Sequence, residues 1–133
     1  MNPYDRHAAD RVKETAMLAK GMGIRTVVWI GIGGSGLGPR VIKEVFESPK
    51  TVELVIVDTI DPSMLQLYLD VLDWKRTLVV VASKSGGTLE TMSAFFLYWE
   101  KLQSVMGAKA TERAIAITDV STGALHSFCA DRN

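Results

Sequence analysis

The chain has 133 residues, 47% of them hydrophobic and 23% charged, which is enough for one buried core of ordinary domain size and too little for two. Fifteen basic residues balance fifteen acidic ones, so no strong global field draws it to nucleic acid or an anionic membrane, and any anion site has to be local. The longest apolar runs, such as Leu78-Val79-Val80-Val81-Ala82, fall far short of the roughly 20 residues that span a bilayer, and Met1-Asn2-Pro3-Tyr4-Asp5 has no signal-peptide pattern, which makes the cytoplasm the default compartment.

A leading helix, from about Asp5 to Lys20 within residues 1–22, carries Val12, Ala16 and Ala19 on one side and ends at Gly21 and Gly23. A strand over 27–32 follows, then a glycine loop, then a helix that Pro39 opens as a first-turn residue. Val41, Ile42, Val45 and Phe46 form its apolar stripe, and Ser48-Pro49 breaks it. The second strand spans 52–58. Asp61-Pro62 is an N-cap with a first-turn proline, opening a helix with Met64, Leu65, Tyr68, Leu69 and Leu72 at core spacing. The third strand spans 77–82 and leads into a helix over 88–106, where Met92, Phe95, Phe96, Trp99 and Leu102 read as core. A fourth strand over 114–118 and a last helix after Ser121-Thr122-Gly123 complete the chain. Cys129, the single cysteine, cannot form an internal disulfide and reads as a small buried hydrophobe.

The four strands are nearly continuous apolar runs alternating with helical segments. That pattern predicts an α/β fold, a doubly wound parallel sheet of about four strands in the order 2-1-3-4 with helices on both faces. Residues 1–133 form one domain.

After the first strand, Gly31, Gly33 and Gly36 stand at the G-x-G-x-x-G spacing. Glycines let a strand turn sharply into a helix whose N-terminal amides face an anion. Asp58 lies roughly 20 residues further on, where a ribose-binding acid is expected, so a Rossmann-type nucleotide module is one reading. Gly34-Ser35 inside the motif and Gly38-Pro39 beyond it argue for a different phosphate. No Gly-Lys-Ser or Gly-Lys-Thr follows, so this is not a P-loop, and a tight turn without ligand is also open.

The third strand runs into Ser83-Lys84-Ser85-Gly86-Gly87-Thr88-Leu89-Glu90-Thr91. Helix capping needs one hydroxyl, and here Ser83, Ser85, Thr88 and Thr91 supply four, with Gly86 and Gly87 expected to release their amides toward the same anion. Strands one and three are neighbours in a 2-1-3-4 sheet, so both loops flank one crevice and a single monophosphate can touch both. Lys84 approaches the phosphate or is simply solvated. Glu90 sits in the first helical turn, where it favours the helix dipole, and is structural.

Residues 28–39, Val-Trp-Ile-Gly-Ile-Gly-Gly-Ser-Gly-Leu-Gly-Pro, resemble the first signature of the glucose-6-phosphate isomerase family of the sugar isomerase (SIS) fold. Residues 82–91, Ala-Ser-Lys-Ser-Gly-Gly-Thr-Leu-Glu-Thr, look like that family's phosphate loop, in the variant found in fusions with transaldolase. Thr59-Ile60-Asp61-Pro62 and Ala116-Ile117-Thr118-Asp119 agree with it. The resemblance implies that Gly34, Ser35, Ser83, Lys84, Ser85, Thr88 and Thr91 surround the phosphate of a sugar, with hexose 6-phosphate the expected ligand. It implies an aldose-ketose isomerase of glycolysis and gluconeogenesis that needs no metal or nucleotide cofactor and works through an enediolate.

The glutamate base, the Gly-Gly-Arg arginine and the ring-opening histidine and lysine of such enzymes lie in later parts of a longer family chain. This sequence stops at Asp131-Arg132-Asn133. His7 and His126 read as surface residues rather than acid catalysts, and no carboxylate stands out as a base. The expectation is a sugar-phosphate-binding first subdomain that does not isomerise alone, with self-association or a partner chain covering the sheet edge. Completion of an active isomerase by such a partner is the alternative.

Overall fold

The computed structural model of the chain describes residues 6–46, 52–119 and 121–132, with side chains described from residue 9 onward. Asp5, the breaker Ser48-Pro49 and Asn133 lie outside the described residues. The elements are α1 (Arg6–Gly21), β1 (Thr26–Ile30), α2 (Gly34–Phe46), β2 (Glu53–Val57), α3 (Pro62–Val71), β3 (Thr77–Ala82), α4 (Leu89–Met106), β4 (Ala114–Ile117) and α5 (Ala124–Ala130). Short 3-10 turns, Trp74–Arg76 and Gly107–Arg113, lead into β3 and β4.

All four strands are parallel, as the apolar runs predict, and their order is β2-β1-β3-β4, the order expected. Side chains alternate across a strand, so every second residue serves one face. Val28, Ile30, Val55, Val57, Val79 and Val81 form one buried face with Leu65 and Leu69 of α3, Phe95, Tyr98 and Leu102 of α4 and Leu125 of α5. Burial pushes the Tyr98 phenol above its usual range, with Tyr68 adding to the effect, and its hydroxyl donates to the Leu65 carbonyl at 3.3 Å.

The other face is covered less completely. Val27, Trp29, Leu54, Ile56 and Leu78 stay half-buried there while Val80 is buried, and α2 lies against β1 and β2. The apolar stripe of this helix, Val41, Ile42, Val45 and Phe46, points outward at 52% to 71% exposure. Val12 and Ala16 of α1 are likewise exposed, and Phe96 of α4 is 43% exposed. No helix among the described residues is long and apolar enough to cross a membrane.

Two caps follow the sequence closely. The Asp61 carboxylate accepts from the amides of Ser63 and Met64 ahead of Pro62, and Gly23 takes a positive φ of 69° beyond α1. The start of α2 does not follow it. The helix begins at Gly34, and Pro39 lies inside it rather than at its first turn. A proline at this position removes the donor that would reach the Ser35 carbonyl four residues back. The Trp29 indole supplies that donor instead, at 2.9 Å, and so lets the helix start early.

Candidate functional site

The geometry begins with strand register. Ile30 of β1 is level with Val81 of β3, and Ala82 is level with Ile117 of β4, so three loops leave the carboxyl edge of the sheet side by side. The exits of β1 and β3 are the topological switch point of this sheet, because their helices leave toward opposite faces.

In the first loop the Gly31 amide still donates to Val57 at 3.1 Å, and the chain turns at Gly33 with φ of 66°. Gly36 then brings α2 down onto the strand ends: a Cβ there would stand 2.6 Å from the Gly31 carbonyl oxygen and 3.3 Å from Asp58 Cβ. The packing sets Ser35 at the cleft, in the first turn of α2, with Gly34 beside it. Asp58 is occupied, since its carboxylate pairs with the Arg40 guanidinium.

The second loop is knitted together by hydroxyls. Ser83 is buried, and its amide extends the sheet by donating to Ile117 at 3.0 Å. The Thr88 hydroxyl lies 3.3 Å from that of Ser83 and 3.2 Å from that of Ser85. Thr88 is the N-cap of α4 yet makes no side-chain cap bond, so its oxygen is turned to the loop rather than to the helix. Glu90 sits exposed in the first turn of α4, as expected.

The glycine amides behave differently from the sequence expectation. Gly86, at φ of 65°, donates its own N–H to the Ser83 carbonyl at 3.1 Å, and the Gly87 N–H points to Ser85 Oγ at 3.4 Å. The positive φ closes a tight turn whose donor is the glycine itself, so the Gly86 amide is not released toward the cleft.

Ser35, Lys84, Ser85, Thr88 and Asp119 line one cavity of about 390 Å³. Four of the seven expected residues therefore meet there. Ser83 stands one hydrogen bond behind, through Thr88, while Thr91 is buried within α4 and Gly34 borders the loop without lining the cavity. A larger cavity, about 760 Å³, opens at the opposite edge of the sheet near Arg25, Glu53 and Arg76, remote from both glycine loops.

Two features escaped the sequence reading. Asp119, two residues past β4, shares the cleft. The connection from β4 to α5 also braces the second loop from behind. The Leu125 amide donates to the Gly86 carbonyl at 2.8 Å, Thr118 Oγ1 to the Lys84 carbonyl at 3.5 Å, and a Cβ on Gly123 would lie 3.4 Å from the Ser85 carbonyl oxygen. Strand order was the available signal, since it places the end of β4 beside the end of β3.

Among the described residues neither Lys84 nor Asp119 is held in an ion pair, and no group of three histidine, cysteine or acidic side chains is placed to hold a metal. His126 is exposed on α5 and does not line the cavity, while the His7 side chain lies outside those described. Cys129 is half-buried against the core. Burial pushes its thiol up, opposed by Arg132.

The family described as phosphoglucose isomerase matches residues 8–131. A glucose-6-phosphate isomerase from Thermus thermophilus is 32% identical over 105 residues, which cover 79% of this chain and 25% of that protein. A hypothetical protein of known structure from the same organism superposes with a TM-score of 0.83 at 28% identity, covering 95% of this chain and 30% of that one. A glucose-6-phosphate isomerase structure from Chlamydia trachomatis gives a TM-score of 0.65 at 34% identity, covering 80% of this chain and 22% of that one. The chain thus spans about a quarter of the length of the relatives it matches.

Proposed function

We propose a function from one premise: this chain belongs to the phosphoglucose isomerase family. In our reading its two glycine loops grip the phosphate of a hexose 6-phosphate, with Gly34, Ser35, Ser83, Lys84, Ser85, Thr88 and Thr91 forming or backing the cradle. The observation that carries the reading is that Ser35 from one loop and Lys84, Ser85 and Thr88 from the other line a single cavity. Hydroxyl donors and one ammonium on a strand-end cleft suit a phosphate dianion, and each hydrogen bond to a charged oxygen contributes about 1.5 to 3 kcal/mol.

The domain binds and does not isomerise alone. Moving a proton between adjacent carbons needs a base within reach of the sugar, and the full-length relatives have three quarters of their length in which to supply one. Exposed Ile115 and Ile117 on the edge strand β4 support self-association or a partner chain along that edge. Calorimetry of the whole chain with inorganic phosphate, glucose 6-phosphate and NAD tests the binding. Both phosphates should bind, and Thr88→Ala should weaken both about tenfold, with a thermal melt showing that the variant is folded. NAD binding that exceeds both, or phosphate affinity indifferent to Thr88→Ala, overturns the reading. A coupled assay with fructose 6-phosphate checks the second part, with no turnover expected.

A further inference from the structure

The cleft brings together two kinds of polar group. Ser35, Ser85, Thr88 and Lys84 all offer donors, whereas Asp119 offers a carboxylate, which only accepts. A carboxylate beside a bound phosphate repels it, so Asp119 adds nothing to a site for the free anion. The volume, about 390 Å³, belongs to the roughly 300–1,000 Å³ class of small-molecule sites and leaves room beyond one phosphate group. The chain leading to Asp119 is tied to the second loop. Ser83 pairs with Ile117 across the sheet, and Thr118, the residue before Asp119, is tied to the Lys84 carbonyl.

We propose that Asp119 is a specificity residue that accepts a hydrogen bond from a hydroxyl on the non-phosphate end of the ligand, so that the cleft selects a polyhydroxylated phosphate ester over inorganic phosphate. The inference rests on the phosphate reading above and assigns the far end of the same site. The acceptor group turns an anion cradle into a site for a molecule with an anion at one end and donors at the other. It also predicts opposite signs for two ligands, because removal of the carboxylate takes a partner from the ester and a repulsion from the free anion.

The test is calorimetry of the wild-type chain, Asp119→Ala and Asp119→Asn with inorganic phosphate and with glucose 6-phosphate, alongside thermal melts to show that each variant is folded. Asp119→Ala should weaken glucose 6-phosphate about tenfold while inorganic phosphate binds equally or a few-fold more tightly. Asp119→Asn, which keeps one acceptor oxygen, should fall between. Parallel weakening of both ligands, or an unchanged ester affinity, overturns the proposal, as does a wild-type chain that binds both equally. In those outcomes the phosphate reading survives. A wild-type chain that binds neither overturns both.

Discussion

In the loop after β1, glycine supplies room; in the loop after β3, it supplies a turn, and hydroxyls do the rest. Gly36 has no space for a methyl group, because the Gly31 carbonyl stands 2.6 Å from where it would be. Gly86 is needed for its φ of 65°, around which Ser83, Ser85 and Thr88 exchange hydrogen bonds. The first loop is thus fixed by helix packing and the second by its own polar side chains. A strand-end site can be rigid for either reason, and the two reasons respond to mutation differently.

The strongest break of this contrast is Gly36→Ala. The obstructing atom is backbone, so α2 has to lift from the strand ends, and overpacking of this kind costs about 2 to 3 kcal/mol. A fall in melting temperature of roughly 10 °C is expected, read by circular dichroism. An unchanged melt would show that α2 is not pinned where the crowding places it.

Gly33→Ala and Gly86→Ala sharpen the comparison as a matched pair. Both residues sit near φ of 65°, and nothing lies within 4 Å of a Cβ on Gly33, so strain alone acts there. A left-handed alanine costs about 1 to 2 kcal/mol. Chemical denaturation should show at least the strain cost in each, the buried Gly86 losing no less than the exposed Gly33, but only Gly86→Ala should also weaken phosphate binding, because its turn positions Ser85 and Thr88. Equal effects on binding would erase the distinction between the loops.

Much of this was readable in advance. The parallel, helix-covered sheet follows from near-continuous apolar runs, because each run must be buried within an α/β stack, and the β3 bounds fall where the run ends. The Asp61-Pro62 cap is likewise local chemistry. What was not readable depends on distant partners. The α2 stripe has the period of a buried face, yet Val41, Ile42, Val45 and Phe46 are exposed: periodicity reports what a helix is built to cover, not whether the cover is present. Asp119 belongs to a stretch that resembles the family, but nothing local marks it as a cleft residue, and it is the placement of β4 beside β3 that brings it there. The Gly86 amide could be read as free because its acceptor, the Ser83 carbonyl, is chosen by the turn rather than by the residue type.

The start of α2 gives the smallest and most diagnostic effect. Ser35 keeps its carbonyl satisfied by the Trp29 indole because Pro39 has no N–H to offer. Trp29→Phe should therefore cost about 1 kcal/mol for the lost bond, besides a packing loss. In a Pro39→Ala background the new amide reaches the same carbonyl, so the first part of that cost should largely vanish while the packing loss stays. A double-mutant cycle by urea denaturation isolates the difference, since the packing contribution is common to both backgrounds and cancels. A coupling of about 0.5 to 1 kcal/mol is expected. Strict additivity would mean that the indole bond does not substitute for the missing helical one, and the early start of the first loop's helix would need another cause.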